Sequence, residues 1–404
     1  MKAFDPSHSS GAALAVAVIC CFFAGGLYGW SALAAPLQVT FGISTADTGL
    51  AFSLAIVSFT LAVIFTPVFF ANRVSTRHIA GLAVIGAICA FMAVHAASFG
   101  MFLFWFSAGF GAMSGGLYST TLAIGAASTN RTVATPVIVA SFGAGGAVFG
   151  PLWRILDAAN WGLHGLYFLA AGLTLSGILG WLINHTICTR SASSGDMQAR
   201  ADAEPSQQRR LALLWLIFAF GSYGGLMVLG MASKMIDANG ISIWLASLTL
   251  SGIAICNTAG RLSVAALCPR LGLAVCLSLS VVLTTSGLVL IYAGGVVAIL
   301  ISPGLMLIAG GYGLVASTIP LLTCASFTPD TFQRRFGIVF TAWGTAGFSA
   351  PWIAGTLFDM TGSFDLALLS AILATGAFAV IGRSLVREIE QSIDDRTSLQ
   401  PPRV

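Results

Sequence analysis

Twelve stretches of this chain are long and apolar enough to cross a lipid bilayer, and no soluble fold buries that many. A bilayer core about 30 Å thick takes roughly 20 apolar residues in a helix, because backbone groups in lipid must be satisfied within the segment itself. The stretches run over 11–34, 47–71, 78–97, 100–126, 133–153, 163–186, 210–233, 242–267, 272–292, 296–322, 336–357 and 364–386. Composition excludes a soluble enzyme independently. Only 8% of the 404 residues are charged and 57% are hydrophobic, whereas a soluble domain carries about 25% charged residues to face water. The expected fold class is an all-α polytopic membrane protein, a bundle of twelve transmembrane helices rich in Gly, which lets membrane helices approach closely.

Basic residues set the orientation, since Lys and Arg are retained on the cytoplasmic side. With both termini inside, fifteen of the 18 basic residues are cytoplasmic, Arg154 and Lys234 fall outside, and Arg261 falls within a span. The net charge of +4 then reports topology and implies no nucleic-acid partner; the surrounding partner is the lipid bilayer. The low Lys content and the missing eukaryotic targeting signals suit an inner (cytoplasmic) membrane. Lys2 and Ala32-Leu33-Ala34 mimic a cleaved signal peptide, but the apolar run is too long for one and has a partner later in the chain. Eight cysteines lie in or beside apolar helices without metal-ligand spacing, so no metal or other cofactor is expected.

A polar stretch, 189–209, reads as a flexible cytoplasmic linker. It divides the chain into six-helix bundles over 1–188 and 210–387, with a cytoplasmic tail over 388–404. The two bundles repeat each other at offsets near 200 residues. Gly25-Gly26-Leu27 with Gly42-Ile43-Ser44 answers Gly224-Gly225-Leu226 with Gly240-Ile241-Ser242, and Phe142-Gly143 with Gly146 and Pro151 answers Trp343-Gly344 with Gly347 and Pro351. The loops after spans two and eight pair Asn72-Arg73 with Pro269-Arg270. A parallel repeat of this kind puts a substrate site between the halves near the midplane and makes rocking of one half on the other the transport motion.

All fourteen acidic residues can be placed in loops or tails, so the membrane interior carries a single strong base, Arg261. An Arg at a helix centre costs about 2.5–3.5 kcal/mol on insertion scales, and at nine residues before Arg270 it stands roughly 13 Å from its helix end. Two readings follow. Arg261 faces a central cavity and grips an anion, as a guanidinium can with paired hydrogen bonds in a low-dielectric site, or it is a structural Arg that caps carbonyls or organises the cytoplasmic gate.

The sequence resembles the major facilitator superfamily along essentially its whole length, and within it the oxalate/formate antiporter and monocarboxylate transporter branch. The residues that carry the resemblance are Tyr28-Gly29-Trp30 with Pro36-Leu37 and Phe41-Gly42, Asn257-Thr258-Ala259-Gly260-Arg261, and Thr341-Ala342-Trp343-Gly344 through Gly355-Thr356-Leu357-Phe358-Asp359. The loop motif departs from the superfamily, with Asn72 and Pro269 where an Asp is usual. The resemblance implies a 6+6 pseudo-symmetric fold, with Arg261 holding a substrate carboxylate and Tyr28, Tyr118, Tyr312 and Trp343 lining the cavity. Oxalate-type members add a Lys after the Trp of the eleventh span. Trp343-Gly344-Thr345-Ala346-Gly347 has none, which favours a monoanion such as lactate, pyruvate or formate.

Proton-coupled relatives place an Asp one turn before the Arg, where this chain has Asn257, which is counted with Arg261 among the substrate-binding candidates; indirect coupling to a proton and exchange for a counter-anion both stay open. His95, His164 and His185 lie near span ends, where a solvated structural role is expected. Trp30, Ser119, Thr120, Tyr223, Ser317 and Thr345 are further polar or aromatic candidates for the cavity wall. Gly143, Gly146, Gly150 and Pro151 resemble a Gly-Pro motif of antiporters and are read as gating architecture, with Arg73 and Arg270 of the paired loops. A secondary transporter of a small organic anion is the leading function. The rivals are an exporter of drugs or toxic organic or metalloid compounds and a non-transporting membrane sensor. A membrane enzyme has no acid pair, His cluster or nucleophile arrangement to support it.

Overall fold

The computed structural model describes residues 6–70, 73–126, 128, 131–183, 186–188, 205–294, 297–327 and 329–398. Lys2, Asn72, His185, the stretch 189–204 and the last six residues lie outside them. The first half comprises α1 (Pro6–Ala24), a 3₁₀ segment (Gly25–Ala32), α2 (Ala34–Phe41), α3 (Thr45–Phe69), α4 (Thr76–Val94), and α5 (Phe99–Phe102), which runs through a π-helical stretch (Leu103–Phe110) into α6 (Gly111–Ala126). It closes with α7 (Arg131–Ala158) and α8 (Leu166–Ile183). The second half holds α9 (Pro205–Ala238), α10 (Ile243–Gly294), α11 (Ile301–Ser326), α12 (Pro329–Thr361) and α13 (Asp365–Ser398).

Ten of the described helical segments are long and apolar enough to cross a membrane. The difference from twelve has two causes. Spans eight and nine follow each other directly as the two helical parts of α10, which turn at Gly272, where φ 83° and ψ 168° are non-helical, three residues after Pro269, so they count as one stretch; span eleven lies within α12, where the Gly, Thr and Ser residues of 341–349 dilute the apolar ones. The first span runs on from α1 through its Gly-rich part, which tightens into the 3₁₀ segment, over Gly11–Ala32. The linker also ends earlier than expected, since α9 already starts at Pro205. A short ribbon joins the otherwise helical fold: β1 (Arg73–Ser75) pairs antiparallel with β2 (Thr186–Cys188), Arg73 opposite Cys188, tying the loop after span two to the end of span six.

Side-chain distribution matches lipid outside and close packing inside. Leu61, Phe65, Ile88, Leu175, Trp181, Leu248, Val289 and Leu373 are exposed on the bundle's periphery, while Trp30, Phe52, Phe106, Phe110, Trp153 and Tyr312 are fully buried. Such an apolar exterior is stable only against lipid. Acidic residues keep to helix ends: Asp47 closes a capping box with Ser44 in the first turn of α3, and Asp359, near the end of α12, pairs with Lys234 at 3.1 Å.

The repeat read from sequence recurs in the backbone. Gly42 and Gly240 end the first spans of the two halves with φ of 65° and 63°, and Gly162 and Gly362 follow the fifth spans with φ of 50° and 73°. A left-handed Gly is the usual stop for a helix, and Gly42, Gly240 and Gly362 serve so here, whereas α7 is stopped by Asn160 at φ 62° and Gly162 opens the next 3₁₀ turn. The halves also meet by matched seams. Gly143 of α7 lies against Thr258 and Arg261 of α10, and Gly344 of α12 lies against Thr60 of α3.

Candidate functional site

Arg261 projects from the first part of α10 and is 2% exposed. Its helix can come this close to α11 because Gly313 has no side chain; a Cβ there would sit 3.1 Å from the Arg261 nitrogen. Asn257, one turn earlier and therefore on the same face, accepts a hydrogen bond from Nε at 3.1 Å. The two other bonds cross to the opposite half. Nη1 donates to the Val139 carbonyl of α7 at 3.1 Å, and Nη2 reaches the Tyr28 hydroxyl at 3.4 Å. The guanidinium carbon stands over the rings of Tyr28 and Tyr312, 5.5 and 5.6 Å from their centroids.

Tyr28 and Tyr312 share a hydrogen bond of 2.7 Å that joins the 3₁₀ segment to α11, and Trp343 Nε1 of α12 donates to the Tyr312 hydroxyl at 2.7 Å. The chain Arg261–Tyr28–Tyr312–Trp343 thus spans both halves. Gly146, whose Cβ would meet Tyr28's own, lets that tyrosine lie flat on α7. A small pocket is bounded by these groups, by Tyr118 and Phe142, and by Phe59, Phe218, Ala316, Phe336 and Phe340. The side chains close on it until it has room for about one water molecule.

Donors outnumber acceptors here. Three of the five guanidinium N–H groups are taken, which leaves two. Tyr28 and Tyr312 have two hydroxyl protons and one bond between them, so one proton is left, and Tyr118 has no hydrogen-bond partner among the described residues. The titratable groups around Arg261 are Tyr28, Tyr312, Tyr118 and Cys21; no carboxylate is among them. A buried cation ordinarily has a counter-charge, since uncompensated burial is expensive. This one faces a cavity supplied with spare donors.

The structure brings together Arg261, Tyr28, Tyr118, Tyr312 and Trp343, with Asn257 holding Arg261 from behind. The remaining sequence candidates sit elsewhere. Tyr223 shares a bond of 3.2 Å with Ser370 of α13; Thr345 is exposed and bonds to its own helix; Ser119 and Thr120 donate to backbone carbonyls. Trp30 stacks in a separate cluster with Phe52 and Phe106, and Ser317 is buried off the pocket lining. Near the span ends, His95 bonds Tyr167 at 3.0 Å and His164 bonds the Trp161 carbonyl at 2.8 Å. Gly150 lies beside Gly29, its Cβ position 3.8 Å away, and Pro151 sits within α7 one residue on. Both support the seam between the first and fifth spans. Arg270 is exposed and Arg73 enters the ribbon through its backbone.

Sequence reasoning missed Phe59, Phe218, Phe336 and Phe340 as wall residues and the Val139 carbonyl as an acceptor. Phe142 carried a usable signal, since it is the repeat partner of Trp343 and both line the pocket. A backbone carbonyl carries none.

No protein-family model matches the chain, and neither does any curated protein. Among solved structures, the crystal structure of the human organic anion transporter MFSD10 (TETRAN) superposes with a TM-score of 0.68, covering 95% of this chain and all of that one at 16% sequence identity. At that identity the likeness is one of fold. The protein is a multi-pass membrane protein with the twelve-helix, 6+6 pseudo-symmetric fold of the major facilitator transporters.

Proposed function

We propose that this protein is a secondary active transporter, not an enzyme, that moves a small organic monoanion, a monocarboxylate, by alternating access, with Arg261 binding the carboxylate. The observation that carries the reading is the buried guanidinium with spare donors and no carboxylate among the described residues around it. One fixed cation balances one anion. The similarity in fold to a protein described as an organic anion transporter supports the same class of cargo. The bundles 1–188 and 210–387 are the rocking units, joined by the linker, with both termini on the cytoplasmic side of an inner membrane. Because Arg261 spends two of its bonds on Val139 and Tyr28 of the other half, an anion that competes for the guanidinium loosens the contact between halves as it binds. Cargo binding and rearrangement are then one event, compatible with a coupled proton or with exchange for a counter-anion.

Thermal unfolding of the purified protein with carboxylates and lipophilic cations tests this, because a ligand of the folded state stabilises it by mass action, by about 2.7 kcal/mol at a hundredfold excess over Kd. Monocarboxylates should raise Tm for the native protein and leave Arg261→Ala unmoved. Shifts with lipophilic cations alone, equal in both proteins, would assign the cavity to lipophile export and Arg261 to the scaffold.

A further inference from the structure

Resting on that reading, we infer that the anion carried is a flat aromatic monocarboxylate whose ring lies on the phenylalanine wall away from Arg261. Nine of the eleven residues around the pocket are aromatic, one is Ala316 and one is Arg261. The polar atoms are unevenly placed. Arg261 and the hydroxyls of Tyr28 and Tyr312 form one connected group, and the Trp343 nitrogen is already committed to Tyr312. Phe59, Phe218, Phe336 and Phe340 offer neither donor nor acceptor.

A carboxylate, and any oxygen on the carbon next to it, lies within reach of the spare donors of Arg261, the tyrosine pair and Tyr118, but the rest of a larger cargo meets only rings, where a polar group would be buried without a partner and is strongly disfavoured. An unsubstituted ring has the opposite balance. The wall rings already associate as aromatic pairs do, Phe340 with Trp343 at 5.0 Å, Phe59 with Trp343 at 5.3 Å and Phe218 with Phe340 at 5.9 Å in a T-shaped contact. A flat ring entering among them exchanges one set of offset and edge contacts for another. The wall is also shared between halves, with Phe59 on α3 and Phe340 on α12, so a ring between them is released only when the halves part. Phe340 touches Phe59, Tyr118, Phe218, Phe336 and Trp343, which makes it the residue on which ring selectivity depends.

Equilibrium binding of benzoate, cyclohexanecarboxylate, lactate, acetate and benzyl alcohol to the purified full-length protein tests the inference, with Phe340→Leu and Arg261→Ala alongside. Benzoate should bind about tenfold or more tightly than lactate or acetate, ahead of cyclohexanecarboxylate, and benzyl alcohol should not bind measurably. Phe340→Leu should erase the advantage of benzoate over lactate and over cyclohexanecarboxylate. Equal affinity for benzoate and lactate, equal affinity for benzoate and cyclohexanecarboxylate, or a benzoate advantage that survives Phe340→Leu would overturn the aromatic assignment and leave the carboxylate site standing. Carboxylate binding that Arg261→Ala does not alter would remove both.

Discussion

The two seams between the halves are built alike and hold different things. On one, Gly143 of α7 meets Thr258 and Arg261 of α10; on the other, Gly344 of α12 meets Thr60 of α3. The positions correspond under the repeat, and in both a glycine brings two helices together inside the membrane. The second seam is neutral, with the Thr60 hydroxyl spent on the Ile56 carbonyl of its own helix at 2.8 Å. The first carries a guanidinium, bonded to a carbonyl and a tyrosine of the opposite half. Joining the halves therefore does not require a charge, and a buried Arg that costs about 2.5–3.5 kcal/mol on insertion scales is not explained by packing. On the function proposed above, its role is to bind the anion.

The largest effect is expected from making the charged seam resemble the neutral one without removing Arg261. Asn257→Asp places a carboxylate where the amide oxygen now accepts from Nε at 3.1 Å. The guanidinium then has an internal counter-ion, and an external anion must displace it. Anion affinity at neutral pH should fall by about 30-fold, in line with the cost of disturbing a buried charge interaction. Acidification protonates the new carboxyl and frees Arg261, so affinity should recover as pH falls. Benzoate binding measured between pH 8 and pH 5 checks the sign. A pH-independent loss would mean that Asn257 acts by shape alone.

How much of this was legible beforehand follows the same division. The spans, the bundle and the repeat are written in hydropathy and in glycines at fixed offsets, and two of those glycines, Gly42 and Gly240, make matching turns with left-handed φ. Arg261 stood out because charge in a membrane helix is costly and therefore rare. Tyr28, Tyr118, Tyr312 and Trp343 could be named from the resemblance. The phenylalanines could not, because among 28 Phe nothing local separates a ring facing lipid, such as Phe65, from one facing the cavity, such as Phe59. The same limit misplaced Thr345 and Tyr223, whose helix faces were settled only by packing. The break between spans eight and nine was legible, because Pro269 and Gly272 punctuate the apolar run and Gly272 takes a non-helical φ of 83° there.

The glycines sharpen the comparison with a smaller effect. A Cβ on Gly344 would stand 2.5 to 3.0 Å from Oγ1, Cγ2 and Cβ of Thr60, and the Cβ is fixed to its backbone and cannot turn away. A Cβ on Gly143 would meet Thr258 Oγ1 at 3.1 Å and the Arg261 side chain at 3.2 and 3.3 Å, atoms that can yield. Gly344→Ala should therefore destabilise this conformation by about 1–3 kcal/mol, the usual cost of overpacking, lowering Tm with anion affinity retained. Gly143→Ala should leave Tm nearly unchanged and alter anion affinity, because what it displaces is Arg261. If both variants lose Tm and neither changes affinity, the seams are equivalent and Arg261 is scaffold.

The smallest expected effect belongs to the link between the two tyrosines. Tyr312→Phe keeps the ring under the guanidinium, with its centroid 5.6 Å from the charge, and removes the oxygen that meets Tyr28 and Trp343 at 2.7 Å each. Two bonds are lost, which leaves the Tyr28 hydroxyl proton and the Trp343 N–H both free to meet a carboxylate. A neutral hydrogen bond is worth about 0.5–1.5 kcal/mol net, so losing two should lower stability by about twice that, and it is the effect on anion affinity that is the smallest of the series. Anion affinity should hold or rise slightly, since the site gains a donor. A fall in affinity comparable to that of Asn257→Asp would instead make the Tyr312 hydroxyl a direct ligand of the anion, and the charged seam would then extend from α10 into α11.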